Sequence, residues 1–150
     1  MKKIFFMMAA LICSLGFVGC SDDDDEKFDQ AQLEGSWYMV RWQGYEHYDG
    51  EKESWDKSFE FNNPKEDEDA LKINIRKTGE NRYSITVFNH YNGQWHEYTP
   101  EETTLNGKEF VFDGETSKIL TLTKSKLVIE TKGTDEDGDY YGKQTFQKIN

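Results

Sequence analysis

Leu71-Lys72-Ile73-Asn74-Ile75-Arg76 alternates apolar and polar residues without a break, and Tyr83-Ser84-Ile85-Thr86-Val87 repeats the pattern shortly after. A period of two puts the apolar side chains of a segment on one face, the mark of a strand buried on one side. Outward from this pair, the same reasoning finds strands at 36–43, 55–62, 94–99, 108–112, 117–124, 126–131 and 140–148, nine in all. Turn signals separate them: Asn63-Pro64, Thr78-Gly79, Asn92-Gly93, Asn106-Gly107, Asp113-Gly114 and Asp137-Gly138. No stretch after Leu33 sustains a helical period, so the crossovers of a parallel sheet are missing and an antiparallel up-and-down meander follows. Open edges on such a sheet invite pairing with other chains, and closure into a barrel removes them. The expected fold is all-β, a meander of 8–9 strands closing into a β-barrel. Nine is an awkward count, because first and last strands then run the same way. Either one candidate, such as 94–99, is irregular, or closure is incomplete.

Two hairpins test the register. A two-residue Asn92-Gly93 turn places Val87 opposite Tyr98, Asn89 opposite His96 and His90 opposite Trp95. A similar Asp137-Gly138 turn places Ile129 opposite Phe146 and Thr131 opposite Gln144. Between Gln43 and Trp55 the register stays open, since only a tight Asp49-Gly50 turn pairs Val40 with Phe59.

The face carrying Ile85, Val87 and Tyr98 is the inner one. Extending it gives Trp37 and Met39 on the first strand, Phe59 and Phe61 on the second, then Ile73, Ile75 and Tyr83. Phe110, Phe112, Ile129 and Phe146 complete it. These are the candidate ligand-binding residues, because small-ligand sites are concave, mainly apolar and common at barrel mouths. So many bulky groups also allow a filled core. Tyr45, Tyr48 and Trp55 flank the first long connection and form an entrance, a surface for a protein or glycan, or simple packing over the barrel rim.

The N-terminus is a different kind of sequence. Met1-Lys2-Lys3 opens an apolar run that ends at Cys20, and Ser21-Asp22-Asp23-Asp24-Asp25-Glu26 follows at once. This is the build of a secretory signal, too short to span a bilayer. Phe17-Val18-Gly19-Cys20 resembles the lipobox of bacterial lipoproteins, although Leu usually stands where Phe17 does. The resemblance implies cleavage before Cys20, which then carries acyl chains, palmitate among them, and anchors the chain to a membrane. An ordinary cleaved signal is the simpler alternative. The acidic run resembles the export signal of outer-membrane lipoproteins displayed at the cell surface in one group of Gram-negative bacteria; a periplasmic orientation stays open. The organisation is then 1–19 signal, 20–32 lipidated acidic tether and 33–150 barrel. Loss of residues 1–19 lowers the basic residues from 18 to 16 against 29 acidic, a formal charge of −13. That charge argues against nucleic-acid partners. With Cys13 removed, Cys20 has no disulfide partner, and the domain depends on its core.

Gly35-Ser36-Trp37, preceded by Leu33 and followed by Tyr38-Met39-Val40-Arg41, resembles the Gly-x-Trp opening of lipocalins, particularly lipocalin-like domains of bacterial lipoproteins. The resemblance in layout covers about residues 31–149 and implies that Trp37 begins the first strand and closes the barrel floor. Two features depart from it. The later Thr-Asp-Tyr turn is missing, and no arginine lies in the final strands to pack over Trp37, Lys148 being the nearest substitute.

Catalysis finds little support: there is no Gly-x-Ser-x-Gly elbow, no phosphate-binding glycine loop and, with Cys13 removed, no cysteine nucleophile outside the lipidation site. His90 and His96 project to opposite faces of their hairpin, which disfavours a local metal pair; His96 with Asn89 is expected as a polar patch near the barrel floor, and His47 stands apart. Asp135-Glu136-Asp137-Gly138-Asp139 has its glycine misplaced for a calcium loop and reads as a solvated turn. The segment Glu66-Asp67-Glu68-Asp69 reads as an exposed connection. No catalytic residue, metal site or cofactor is expected. The expectation is a lipid-anchored, lipocalin-like barrel binding a small apolar or amphipathic ligand without converting it. The alternative is a filled barrel whose loops bind a protein or glycan partner.

Overall fold

The computed structural model describes residues 28–60 and 70–149. Cys20, Phe61 and the 66–69 acidic segment lie outside them. A 3-10 turn at Gln30–Gln32 is started by Asp29, whose carboxylate accepts the Ala31 N–H at 3.0 Å. Ten strands follow: β1 (Gly35–Tyr48), β2 (Glu51–Ser58), β3 (Ala70–Gly79), β4 (Arg82–Tyr91), β5 (Gln94–Glu97), β6 (Glu101–Thr104), β7 (Glu109–Phe112), β8 (Glu115–Leu122), β9 (Lys126–Thr134) and β10 (Asp139–Ile149).

These ten strands fill eight positions in one antiparallel sheet, in the order β5-β4-β3-β1-β10-β9-β8-β7. Two positions are shared. β3 pairs with residues 35–38 of β1 and β2 with residues 41–48, so the two occupy successive lengths of one edge. β6 and β5 likewise share an edge of β4, with a one-residue step in register between them. Pro100, which has no N–H to give a ladder, lies at that step. The candidate at 94–99 is therefore the irregular one, and the count of nine gives way to eight positions. Because eight is even, β1 and β10 meet antiparallel, from Ser36 opposite Ile149 to Tyr45 opposite Tyr141.

The sheet curls until β6 and β7 approach. Among the described residues no ladder joins them; side chains do. The Thr103 hydroxyl donates to the Val111 carbonyl at 2.6 Å, and the Asp113 N–H donates to the Glu101 carboxylate at 3.1 and 3.2 Å. β6 was absent from the sequence reading because Glu101-Glu102-Thr103-Thr104 carries no apolar alternation.

The tight alternative holds for the first hairpin. Asp49 (φ 53°) and Gly50 (φ 80°) both take positive φ, the requirement of a two-residue turn that matches strand twist, and the Phe59 N–H donates to the Val40 carbonyl at 3.0 Å. This hairpin reaches further than expected, with β1 running to Tyr48 and β2 covering 51–58 rather than 55–62. Its outer half is polar and is held by main-chain pairing, to which apolar periodicity is blind. The Asn92-Gly93 hairpin has the expected pairs, Asn89 with His96 and His90 with Trp95, and the Tyr98 N–H donates to the Val87 carbonyl at 2.9 Å.

The last hairpin differs. Phe146 lies opposite Leu127, and Ile129 opposite Gln144, a slip of two from the expected pairing. The turn spans four residues: Asp135 N–H donates to the Gly138 carbonyl at 2.8 Å, while its Oδ1 accepts the N–H groups of Asp137 and Gly138. A slip of two preserves the faces, so the inner side chains stay inside.

One end of the barrel is plugged. Trp37 is fully buried, and its indole N–H donates to the Leu33 carbonyl at 2.8 Å. Lys148, opposite Trp37 in register, carries its ammonium 4.9 Å from that ring and donates to the Gln32 carbonyl at 3.0 Å. Its stem crosses Gly35, where a Cβ would stand 2.7 Å from Lys148 Cε. The glycine of Gly-x-Trp is thus the residue that lets the lysine reach the tryptophan. Met39, Leu127, Ile119 and Phe146 pack around this floor, each at most 2% exposed.

Candidate functional site

Above the floor the barrel is hollow. A cavity of about 650 Å³ opens at the end bearing the Asp49-Gly50, Asn92-Gly93, Asp113-Gly114 and Asp135–Gly138 turns. Small-ligand sites run to ~300–1,000 Å³.

Ten of the expected interior residues line it: Ile73 and Ile75 from β3, Tyr83, Ile85 and Val87 from β4, Tyr98, Phe110 and Phe112 from β7, Ile129 and Phe146. Trp37, Met39 and Phe59 are buried in the core and are not part of the lining. Phe61 lies outside the described residues. Of the three loop aromatics, Tyr45 and Trp55 reach the cavity, and Tyr48 is 57% exposed.

The sequence reading missed the upper wall. A register break between Met39 and Arg41 reverses the alternation of β1, so that Trp42 and Glu46 turn inward. Trp55 lies across Gly44, where a Cβ would collide with the Tyr141 carbonyl and come within 2.8 Å of the Trp55 ring. The Trp42 and Trp55 rings are 5.1 Å apart. Tyr140 crosses Gly133 in the same manner. At Gly142, which also lines the cavity, a Cβ would meet nothing nearer than 3.9 Å. Gly44 and Gly133 make room for the Trp55 and Tyr140 rings, and Gly142 is the glycine that leaves space open.

Polarity increases toward the opening. Along β8 the inward residues run Ile119, Ser117, Glu115, and along β9 Leu127, Ile129, Thr131. The Ser117 and Thr131 hydroxyls bond at 2.7 Å. Asn89 Oδ1 and Trp55 Nε1 are buried in the lining without a hydrogen-bond partner among the described residues. Asn89 and His96 sit next to the Asn92-Gly93 turn, at the open end rather than near the floor, because β4 runs from the plugged end to the mouth. His96 stacks on Tyr91 at 4.0 Å.

Carboxylates crowd this opening. Glu46, Glu101, Asp113, Glu115 and Asp135 line the cavity, and no lysine, arginine or histidine among the described residues does. Burial raises the Glu115 carboxyl above the usual glutamate value, Asp113 and Asp135 add to the rise, and a hydrogen bond with Tyr140 opposes it. Glu46 is raised by burial first and then by Glu53 and Asp135. Outside the rim, the Tyr45 hydroxyl donates to Asp139 at 2.7 Å and holds that carboxyl below its ordinary value, while His47 Nδ1 lies 2.8 Å from the Asp139 carbonyl. The His90 ring packs against Trp95 on the opposite face from Asn89.

No protein-family profile matches this chain, and no curated protein sequence matches it. Solved structures do. A structure described as the siderocalin Ex-FABP, said to function through dual ligand specificities, superposes with a TM-score of 0.53 at 12% identity, over 79% of this chain and 74% of the other. The bovine lipocalin allergen Bos d 2 gives a TM-score of 0.55 at 13% identity, over 81% and 76%. With its plugged floor, eight strand positions and open mouth, this chain has a lipocalin-like β-barrel fold.

Proposed function

We propose that this protein is a carrier that takes a small apolar or amphipathic molecule into its barrel and leaves it chemically unchanged. The observation that carries the reading is the cavity of about 650 Å³, apolar at its base and open at one end. A barrel that only fills itself would place a large side chain at Gly142, where a Cβ meets nothing nearer than 3.9 Å, and the hollow interior is what separates this reading from a filled barrel with a loop-borne partner site. The lipocalin-like fold supports it as an architecture in which such cavities form. The hydroxyls of the lining are engaged with neighbouring side chains, Ser117 with Thr131 and Tyr140 with Glu115, and binding is the chemistry we assign to it.

The remainder of the proposal concerns location. Cleavage before Cys20, acylation there and an acidic leash to about residue 32 would tether the barrel to the outer membrane, facing the cell surface. Several acyl chains on one residue suffice for stable attachment at about 0.8 kcal/mol per buried methylene.

Titration with N-phenyl-1-naphthylamine, which brightens in a dry site, tests the carrier reading. Saturable one-to-one binding that a fatty alcohol displaces is expected; no saturable signal, together with native mass spectra free of small molecules, refutes it. Cys20→Ala should release the protein from membranes, and equal retention of the variant refutes the anchor.

A further inference from the structure

The upper cavity combines three features that point to one kind of head group. Its charge has a single sign: Glu46, Asp113, Glu115 and Asp135 face the opening without a cationic residue among the described lining, while Glu101 is engaged at the β6–β7 seam. Its walls are aromatic, with Trp42 and Trp55 5.1 Å apart and Tyr140 beside Glu115. Finally, Asn89 Oδ1 is a buried acceptor with no donor among the described residues. Glu46 and Glu115 are half-buried among like-charged neighbours with no cationic residue in the described lining, an arrangement that is costly in a partly dry site. Bringing in a positive charge reverses that cost. A bare metal ion is not the fitting cation, because no three acidic or histidine side chains among the described residues converge closely enough to hold one. A larger organic cation needs no such convergence: it is attracted by distributed carboxylates and by the faces of tryptophan and tyrosine rings.

From the single-signed mouth, its aromatic walls and the apolar chamber below, we infer that the ligand is a cationic amphiphile, an ammonium or similar organic cation on a short apolar tail. The inference rests on the carrier reading and specifies its ligand. The tail lies against Ile85, Val87, Ile129 and Phe110, and the head sits between the tryptophans and the carboxylates. The carboxylates also raise the local concentration of cations at the mouth and repel fatty acids, so the selectivity acts on approach as well as in the bound state.

Calorimetric titration of the purified protein at neutral pH with octylammonium, octanol and octanoate, all below micellar concentration, tests this. The cation should bind at least ~10-fold more tightly than the alcohol, about 1.4 kcal/mol, and the carboxylate should bind weakest. Added sodium chloride should weaken the cation selectively. In Asp113→Asn combined with Glu115→Gln, the ratio of cation to alcohol affinity should fall toward one. Both changes suit the fold, since Asn-Gly favours the same positive-φ turn and glutamine still accepts from Tyr140. Equal binding of cation and alcohol, or a salt-insensitive cation, overturns the head-group inference and leaves the carrier reading standing. Failure of all three to bind overturns both.

Discussion

Gly142→Leu puts the hollow interior to the test directly. Gly142 lies in the middle of β10 on the cavity face, and a Cβ built there meets only the Thr131 carbonyl at 3.9 Å and Trp42 Nε1 at 4.0 Å. Replacing glycine within a strand removes backbone freedom from the unfolded chain, a gain of about 0.5–1 kcal/mol. Complete burial of a leucine contributes ~1.5–3 kcal/mol, and the half-buried site should return roughly half of it. The variant is therefore expected to be about 1–2.5 kcal/mol more stable, a rise of ~3–10 °C in Tm for a domain of this size. The same four carbons occupy the path between mouth and chamber, so N-phenyl-1-naphthylamine should bind at least ~10-fold more weakly. Differential scanning calorimetry and fluorescence titration read the two effects on one sample. If the interior is instead filled, leucine overpacks it and costs about 1–3 kcal/mol. A fall in Tm would therefore refute the cavity, and a rise in Tm with unchanged affinity would place the ligand elsewhere.

Trp37→Phe removes the indole that donates to Leu33 and leaves that carbonyl unpaired in the core; a loss of about 2–4 kcal/mol in urea unfolding is expected. Lys148→Met keeps the stem over Trp37 but not the ammonium, so it should cost only ~0.5–1.5 kcal/mol by the same measurement. Glu115 is raised in the folded chain and faces Tyr140, Asp113 and Asp135, so it binds its proton more tightly folded than unfolded. Its ionisation thus opposes folding at neutral pH, and the opposition disappears as pH falls through the raised value toward about 4.3. Glu115→Gln should accordingly exceed the wild type in Tm near neutrality and lose that advantage on acidification; a constant difference across the range contradicts it. At the seam, Glu101→Ala should speed hydrogen exchange of the Asp113 amide while leaving β9 amides protected, and unaltered exchange would mean that the carboxylate does not close the barrel.

Strands with one apolar face were legible wherever side chains alternate, as at Leu71 to Arg76, and ten of the lining residues follow from that alternation alone. The polar strand β6 and the outer half of the β1–β2 hairpin were not, because their stability comes from main-chain bonds that every sequence can make. The upper wall was hidden for another reason. The break between Met39 and Arg41 shifts the phase of β1, and any reading that carries the earlier alternation forward assigns Trp42 and Glu46 to the wrong face. The Asp135–Gly138 turn shows a milder form: its dipeptide signal located the hairpin, but the Asp135 cap lengthened the turn and moved the pairing by two.

Local pattern by itself determined the class of fold and the approximate place of most turns among the described residues, because alternation and glycine act within a few residues of chain, while Trp37 at the floor came from the resemblance of Gly35-Ser36-Trp37 to the lipocalin opening. Local sequence also determined the strongly negative charge and the lipobox-like junction at Cys20. Tertiary structure alone decided that β2 with β3, and β5 with β6, share strand positions, that Lys148 covers Trp37, and that a cavity exists at all. Empty volume is the difference between the space a curved sheet encloses and the side chains it must hold, and sheet curvature depends on every register in the barrel together.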